Sequence, residues 1–276
     1  MKKLTAMLLA LVMALSLVAC GQKADDSSKG NDSDSSSTLV VGTSADYAPF
    51  EFMYADKDGT MQFGGIDVSV AGYIAEQTGK EMKVENMGYD YLLTSLAKGD
   101  FDIVIAGMEP TEERMKSADF SDPYYTDIPP AILVRAADVD NYKTLEDFNG
   151  KSVGAQIATT KLDLVNEKMP GANAVSLQLV TDLINELVNN KIDAVVVDGA
   201  VAQQYAETNK DLAIATPSSE LGEASPYCIA VAKGDPKGLL PGINAAIAKM
   251  LAENKVEQFV SDADALKDVW QEVSAN

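Results

Sequence analysis

The sequence predicts an α/β fold with two lobes, each built on a mostly parallel sheet flanked by helices. Apolar, β-branched runs alternate with amphipathic stretches in the order β-α-β-α-β, and this order repeats further along the chain. The segments 92–107 and 183–198 also align without a gap, as two copies of one unit would. Two strand-like runs, 131–135 and 227–232, each follow a segment that we interpret as a crossing between lobes, and two crossings make a hinge.

The first unit follows from residue spacing and from residues that end helices. Apolar residues recur with helical spacing between Gly65 and Gly79, and glycine is typical of a helix end. The predicted elements are a strand over 38–43, a helix over 65–79, a strand over 81–87, a helix capped by Asp90 and ended by Gly99, and a strand over 101–106. Strands joined by helices predict right-handed crossovers and a parallel sheet.

The second unit repeats this order. The predicted elements are a strand over 151–155, a helix over 160–168 stopped by Pro170 and Gly171, a strand over 174–179, a helix capped by Thr181, and a strand over 192–197. In the gapless alignment Asp102 matches Asp193, and each lies one residue into the last strand of its unit. Two units with the same order of strands and helices have similar sequence patterns for that reason alone. We therefore treat duplication of one unit as an interpretation of the alignment.

The residues that follow the predicted strands indicate a ligand-binding cleft that contains an arginine. After the strand over 101–106, Thr111 is predicted to cap a helix with Glu112 and Glu113 in its first turn and Arg114 beside it. Backbone N–H groups, a helix dipole and a guanidinium together suit a carboxylate. The alternative is an ordinary surface helix whose arginine pairs with neighbouring glutamates. If the two sheets face each other, four strand ends meet: Thr43, 106–109, 155–160 and Asp198.

The start of the chain predicts export and attachment to a membrane. A positively charged beginning precedes an apolar run over 4–19 that is too short for a membrane span, which is the pattern of an export signal. Leu-Val-Ala-Cys at 17–20 resembles a bacterial lipoprotein processing site with Cys20 as the lipidated residue. Residues 21–37 carry no large apolar side chain and predict a flexible tether. A plain secretory signal with a chance cysteine is the alternative.

Composition and charge exclude several classes of protein. The chain has 42 acidic and 22 basic residues, a net charge of −20, and loss of the signal with its two lysines makes the charge −22. Such an acidic body does not bind nucleic acid nonspecifically. The absence of histidine excludes Ser-His-Asp and Cys-His catalytic sites and His-ligated metals, and we expect no metal, cofactor or enzyme activity. With Cys20 lipidated, Cys228 has no disulfide partner and is predicted to be a small buried residue.

Six motifs in a fixed order carry a resemblance to a known family. They are VGTSADYAPFEF at 41–52, GGIDVSVAGYIAEQTG at 64–79, GMEPTEER at 107–114, DFSDPYY at 119–125, TLEDFNGKSVGAQ at 144–156 and DAVVVD at 193–198. Over nearly all of residues 38–260 the chain resembles the extracellular solute-binding proteins of polar amino-acid ABC transporters, solute-binding family 3. The resemblance implies a two-lobed, type II periplasmic-binding-protein-like fold that closes on one amino acid and docks on a permease.

The resemblance also implies how the chain is divided. We expect the C-terminal segment 255–270 to form helices that pack on the first lobe. The expected parts are a signal peptide over 1–19, the lipidated cysteine and tether over 20–37, a first lobe over 38–126 and 227–276, a second lobe over 130–222, and hinge segments at 127–129 and 223–226.

Finally, the resemblance implies which residues hold the ligand. Arg114 matches the family's arginine for the α-carboxylate, assisted by backbone N–H groups near Glu109 and Thr160, and Asp198 matches the aspartate for the α-ammonium. The carbonyl of Gly107 is expected to accept a second ammonium proton. Tyr47 and Tyr89 match aromatic positions that sandwich the ligand's side chain. The full expected set is Ser44, Tyr47, Tyr89, Ala106, Gly107, Glu109, Arg114, Gln156, Thr160 and Asp198.

Three departures from the family's pattern bear on the ligand. Glu109 stands where serine or threonine is common, so an extra carboxylate is expected to point into the cleft. Ser44 replaces an aspartate that some relatives use against a distal amine, and Ala158 replaces the usual glycine in its loop. Glu109, Asp198 and Glu51 together predict a negative pocket around one arginine, which favours a polar ligand and, among polar ligands, a cationic one.

Two other functions fit the same frame. A prephenate- or arogenate-type dehydratase would need a general acid in the cleft, which Glu109 could supply, but retention of both zwitterion anchors argues against an enzyme. A ligand-sensing module would have to act through a partner, since we find no output domain in the sequence. The expected function is therefore delivery of a free amino acid to an ABC permease and its ATPase. We expect a monomer, lipid-anchored at the outer face of the cell membrane, that binds no nucleic acid.

Overall fold

Two five-stranded sheets organise the part of the chain that the computed structural model describes, residues 37–274, with side chains described as far as residue 270. The predicted signal peptide, Cys20 and nearly all of the tether lie outside the described residues. Among the helices of residues 37–274, none has the length and apolar character needed to cross a membrane.

The first stretch of the chain supplies most of one sheet and a small three-stranded sheet beside it. Its elements are β1 (Thr38–Thr43), β2 (Asp46–Tyr47), β3 (Glu51–Ala55), β4 (Met61–Gly64), α1 (Ile66–Gln77), β5 (Glu81–Asn86), α2 (Leu92–Lys98), β6 (Ile103–Val104), β7 (Ala118–Phe120) and β8 (Tyr125–Thr126). As predicted, α2 ends at Gly99, which has φ +87°. Glycine adopts this left-handed conformation without steric cost.

The remaining stretch supplies the second sheet and then returns to the first. Its elements are β9 (Ala131–Arg135), β10 (Ser152–Gln156), α3 (Thr160–Lys168), β11 (Asn173–Leu177), α4 (Val180–Val188), β12 (Ala194–Val197), α5 (Gly199–Thr208), β13 (Leu212–Ile214), β14 (Pro226–Tyr227), β15 (Ala230–Ala232), α6 (Leu240–Ala252), α7 (Lys255–Asp264) and α8 (Lys267–Ser274).

The two sheets have the same construction. The first has the order β5-β1-β6-β15-β7, in which β5, β1 and β6 are parallel and β15 is antiparallel to both neighbours. The second has the order β11-β10-β12-β9-β13, in which β11, β10 and β12 are parallel and β9 is antiparallel to both neighbours. We call the parts of the chain built around these sheets the first and the second lobe. The predicted fold class is confirmed.

Two aspartates make the same contact in the two lobes. The Oδ2 atom of Asp102 accepts a hydrogen bond of 2.7 Å from the backbone N–H of Val40, and Oδ2 of Asp193 accepts one of 2.9 Å from that of Ser152. The backbone N–H groups of the two aspartates donate in return to Val40 and Ser152, each at 2.8 Å. The matched positions in the sequence therefore share a physical role, which is to join the third strand of each unit to its first.

The core lies on both faces of each sheet. In the first lobe, Val41 of β1 packs in one buried cluster with Val70 and Ile74 of α1, whereas Val104 of β6 packs with Leu96 of α2 on the other face. Helices on both faces are what a parallel sheet requires, because neither face is left to solvent. This arrangement leaves the carboxyl ends of the strands free to form a site.

Two predicted helix starts are wrong, and a third gives a single turn in place of a helix. At Thr111 the chain makes one turn, in which the N–H of Met115 donates to the Thr111 carbonyl at 2.9 Å, and a 3₁₀ turn at 114–116 leads directly into β7. Thr111 does accept a hydrogen bond from the N–H of Arg114, at 3.2 Å. Asp90 lies inside a 3₁₀ turn that precedes α2 and does not cap it. Thr181 lies inside α4, whose N-cap position is held by Leu179.

The chain crosses between the lobes in two neighbouring segments. β8 and β14, which belong to different crossings, pair antiparallel with Tyr125 opposite Tyr227. Cys228 follows directly, is 2% exposed and donates its backbone N–H to the carbonyl of Met108 at 2.9 Å.

The C-terminal helices contact more than the first lobe. α7 packs on α1, as expected, and so does the preceding α6, whereas α8 contacts both β3 of the first lobe and α5 of the second. Its Trp270 is 3% exposed, with its ring 6.5 Å from that of Phe52 and 5.2 Å from that of Tyr205. α8 therefore joins the two lobes outside the crossings.

Candidate binding cleft

Asp198 lies directly after β12, at the N-cap position of α5, but its side chain does not cap that helix. Its Oδ2 atom accepts a hydrogen bond of 2.6 Å from the hydroxyl of Tyr47, and Tyr47 in turn accepts from the backbone N–H of Asp198 at 3.0 Å. Tyr47 belongs to the first lobe and Asp198 to the second. The pair therefore joins the lobes, and it leaves Oδ1 of Asp198 available to a cation.

Arg114 lies in the 3₁₀ turn of the first lobe and is 9% exposed. Its Nη1 donates to the carbonyl of Glu109 at 2.9 Å and to Oε2 of Glu109 at 3.1 Å. Its Nη2 donates to the carbonyl of Ala158, in the second lobe, at 3.1 Å. The guanidinium also lies over the ring of Tyr89, 5.4 Å from the ring centre, where a cation is attracted to the aromatic face.

Glu109 lines the cleft, as the sequence predicted, and hydrogen-bond donors surround its carboxylate there. Its Oε1 accepts a hydrogen bond of 2.8 Å from the hydroxyl of Thr160 and a second one from Lys161, while Oε2 pairs with Arg114. Burial alone would raise the pKa of this carboxyl, but Lys161 and Arg114 together lower it below its usual range. Glu109 is therefore ionised, and its charge is matched.

Lys161 is the cation that sequence reasoning missed. It is the second residue of α3 and is only 6% exposed. Its Nζ contacts Glu109 and lies 2.5 Å from Oδ1 of Asp198. Burial would lower the pKa of Lys161, but Asp198 and Glu109 raise it overall, so the ammonium stays charged. The sequence did contain a signal for this residue: Lys161 is a charged residue in the first helical turn after β10, and residues at the carboxyl ends of strands face the cleft.

The floor of the cleft is formed by the turn at Gly107. This residue has φ +52° and donates its N–H to Oδ2 of Asp67 at 2.7 Å, while Tyr124 donates to Oδ1 at 2.8 Å. Glu51 beside them is 1% exposed, and burial raises its pKa well above its usual range, with the nearby Asp67 adding to the effect. Burial therefore favours the neutral form of Glu51, which reduces the negative charge that the sequence predicted for the pocket.

Seven of the ten expected ligand-binding residues surround one small cavity, together with Glu51, Thr159 and Lys161. Arg114 and Thr160 border it through their bonds to Glu109. The cavity is about 10 Å³, which is no more than one water molecule needs. The expected residues that line it are Tyr47, Tyr89, Ala106, Gly107, Glu109, Gln156 and Asp198.

Ser44 is the expected residue that the structure places elsewhere. Its hydroxyl donates to Oδ1 of Asp46 at 3.1 Å, and it lines a separate, more open cavity of about 360 Å³. The sequence did not identify Asp46 as a contact between the lobes. Its partner is the backbone N–H of Val180 in the second lobe, more than a hundred residues further along the chain. Within residues 37–270 no group of three or more acidic or cysteine side chains is arranged to hold a metal ion.

Comparison with known proteins agrees with this architecture. Residues 39–262 match the profile of the bacterial extracellular solute-binding proteins, family 3. The chain belongs to this family. The resemblance predicted from the six sequence motifs is thus confirmed over most of the chain.

Individual relatives within family 3 are similar over most of their length. The chain is 32% identical to the arginine-binding extracellular protein ArtP of Bacillus subtilis (strain 168), covering 94% of this chain and 96% of that protein. It is 32% identical to ABC transporter arginine-binding protein 1 of Escherichia coli (strain K12), in a match that covers 80% of this chain and 88% of that protein. Among solved structures, an amino acid ABC transporter substrate-binding protein of Streptococcus pneumoniae bound to L-arginine superposes with a TM-score of 0.78 and is 36% identical in sequence. The superposition covers 83% of this chain and 94% of that one.

Proposed function

We propose that this chain captures a free amino acid with a cationic side chain outside the cell and delivers it to an ABC permease. The observation that carries the proposal is that one cavity is lined by Asp198 of the second lobe and by Glu109, to which Arg114 of the first lobe is hydrogen-bonded. A guanidinium and a carboxylate at fixed separation suit the two charged ends of an amino acid. The arginine-binding relatives favour arginine or a similar ligand.

The lobes have to separate for such a ligand to enter, because the cavity is too small for it. We infer that they open about the crossing segments 127–129 and 223–226. Only the closed form contacts a ligand from both lobes, so ligand binding shifts the population towards closure. The permease then takes over the amino acid from the closed, loaded protein.

A screen of the twenty amino acids tests this function. Ligand binding stabilises the folded protein by mass action, so a thermal-shift screen identifies ligands and titration calorimetry measures their affinities. We expect arginine or lysine to bind most tightly. Tight binding of aspartate or glutamate alone would refute the cationic ligand, and turnover of prephenate would favour an enzyme instead.

We also propose that Cys20 carries a lipid that holds the mature protein, as a monomer, at the outer face of the membrane. The Leu-Val-Ala-Cys motif and the polar tether over 21–37 support this proposal. More than one acyl chain is needed for stable anchoring. Mass spectrometry of the N-terminal peptide should detect a diacylglycerol-modified cysteine, and Cys20→Ser should release the protein from the membrane fraction.

A further inference from the structure

The ammonium of Lys161 occupies the place in the closed cleft where a ligand's ammonium is expected. Its Nζ lies 2.5 Å from Oδ1 of Asp198, contacts Oε1 of Glu109 and lies 3.1 Å from the hydroxyl oxygen of Thr160. Asp198 is the carboxylate to which the proposed function assigns the ligand's α-ammonium. Lys161 and that ligand group would therefore compete for the same oxygen atom.

The space in the cleft leads to the same conclusion. Lys161 is 6% exposed, and the cavity that it lines with Tyr47, Tyr89 and Asp198 is only about 10 Å³. An amino acid needs many times this volume, so the lobes cannot close around it while the side chain of Lys161 fills the same space. Lys161 has to leave the two carboxylates before a closed complex can form around a ligand.

The charges explain why the lysine is held in the closed cleft. Lys161 lies in the first turn of α3, where the positive end of the helix dipole disfavours a cation. Two buried carboxylates, Glu109 and Asp198, outweigh this effect. Without Lys161, these two carboxylates would face the closed cleft with Arg114, which pairs with Glu109, as their remaining cationic partner in the described part of the chain. Burial of an unmatched charge is costly, so the lysine stabilises the closed form.

We propose that Lys161 is an intramolecular competitor of the ligand. Its ammonium closes the empty cleft by pairing with Asp198 and Glu109, and an incoming amino acid displaces it by placing its own ammonium on Asp198. This inference rests on the proposed function. Since the lysine has left the bound state whatever the ligand, it weakens the binding of every amino acid by a common factor and does not change the order of preference.

Calorimetry on Lys161→Met tests the proposal, because methionine keeps the length of the side chain and removes its charge. We expect the variant to bind each ligand amino acid about tenfold more tightly or better, since charge-assisted hydrogen bonds no longer have to be broken. Lys168→Met, which removes an exposed cation from the same helix, should leave affinity unchanged. Equal or weaker binding by Lys161→Met, or a changed order of ligand preference, would overturn the proposal.

The ligand-free proteins give a second measurement that does not depend on knowing the ligand. We expect small-angle X-ray scattering to show a smaller radius of gyration for the unmodified protein than for Lys161→Met, because the variant has lost the pairing that holds the empty lobes together. Lys161→Gln, which stays polar, serves if the methionine variant does not fold. If no amino acid binds to either protein, the proposed function fails, whereas equal radii of gyration overturn the role of Lys161.

Discussion

The carboxylate of Asp46 in the first lobe accepts a hydrogen bond of 2.5 Å from the backbone N–H of Val180, the first residue of α4 in the second lobe. A helix N-terminus has N–H groups without partners and a positive partial charge, and a carboxylate satisfies both. The cap of α4 is therefore supplied across the gap between the lobes. Burial is also the main reason that the pKa of Asp46 is raised to about 6.

Buried carboxyls predict a stability that rises as the pH falls. Burial raises the pKa of Asp46, Asp67 and Asp127 from 3.8 to about 6. Between these values the folded state binds more protons than the unfolded state, so acidification through this window stabilises the fold. From about pH 7 to about pH 5 we expect the free energy of unfolding to increase by about 1 kcal/mol for each such group.

Urea denaturation at the two pH values measures this change. Asp46→Asn keeps an acceptor for Val180 but cannot titrate. The increase in its free energy of unfolding between pH 7 and pH 5 should therefore be smaller than that of the unmodified protein by about 1 kcal/mol. Asp58→Asn, at an exposed position, should behave like the unmodified protein and thereby control for the general effect of the large negative charge. A stability that stays constant or falls over this range would contradict the prediction.

Arg114→Ala should abolish amino-acid binding while leaving the fold intact. The guanidinium is expected to hold the α-carboxylate with two hydrogen bonds, each worth about 1.5–3 kcal/mol, so the loss of affinity should exceed about 100-fold. Calorimetry measures the affinity and circular dichroism the fold. Lys116→Ala removes an exposed cation nearby and should bind normally. Normal binding by Arg114→Ala would refute the assignment.

Asp198→Asn should weaken binding several-fold to many-fold. The amide can still accept a hydrogen bond from Tyr47, but it leaves a buried ammonium without its counter-charge. Calorimetry with arginine measures the effect, with the exposed Asp211→Asn as the control. Unchanged affinity in Asp198→Asn would mean that the ligand's ammonium lies elsewhere.

Ala158→Gly should stabilise the protein. Ala158 has φ +63°, a left-handed conformation that costs a residue with a side chain about 1–2 kcal/mol. The greater freedom of glycine in the unfolded chain offsets part of the gain, so we expect the free energy of unfolding to rise by up to about 1 kcal/mol. Ala248→Gly, at an exposed position inside α6, should lower it by about 1 kcal/mol. A loss of stability in both variants would exclude backbone strain at Ala158.

Trp270→Ala should both destabilise the fold and loosen the lobes. Removing this large buried ring from between Phe52 and Tyr205 should cost about 3–5 kcal/mol. Because α8 contacts both lobes, the ligand-free variant should also show a larger radius of gyration in solution. Leu251→Ala, which truncates a side chain that is 46% exposed, should change stability by less than about 0.5 kcal/mol. A Trp270→Ala protein with unchanged dimensions would show that α8 does not hold the lobes together.

Local features of the fold could be predicted from the sequence, and contacts between distant residues could not. The predicted bounds of β1 and α3 agree with the structure, because spacing of apolar residues and turn residues acts within the element itself. The sequence assigned the cap of α4 to Thr181, whereas the carboxylate that caps this helix belongs to Asp46 in the other lobe. The same limit applies to the cleft: the sequence predicted Arg114 and Asp198 there, but the lysine between two carboxylates depends on how the lobes meet.

The burial of Cys228 has a practical consequence for measuring lobe movement. Its thiol is 2% exposed, and burial raises its pKa to about 11, so at neutral pH it is almost entirely in the unreactive, protonated form. A cysteine introduced at the rim of each lobe would therefore take up maleimide fluorophores while the native thiol stays unlabelled. Energy transfer between two such dyes would report closure directly, without removal of the native residue.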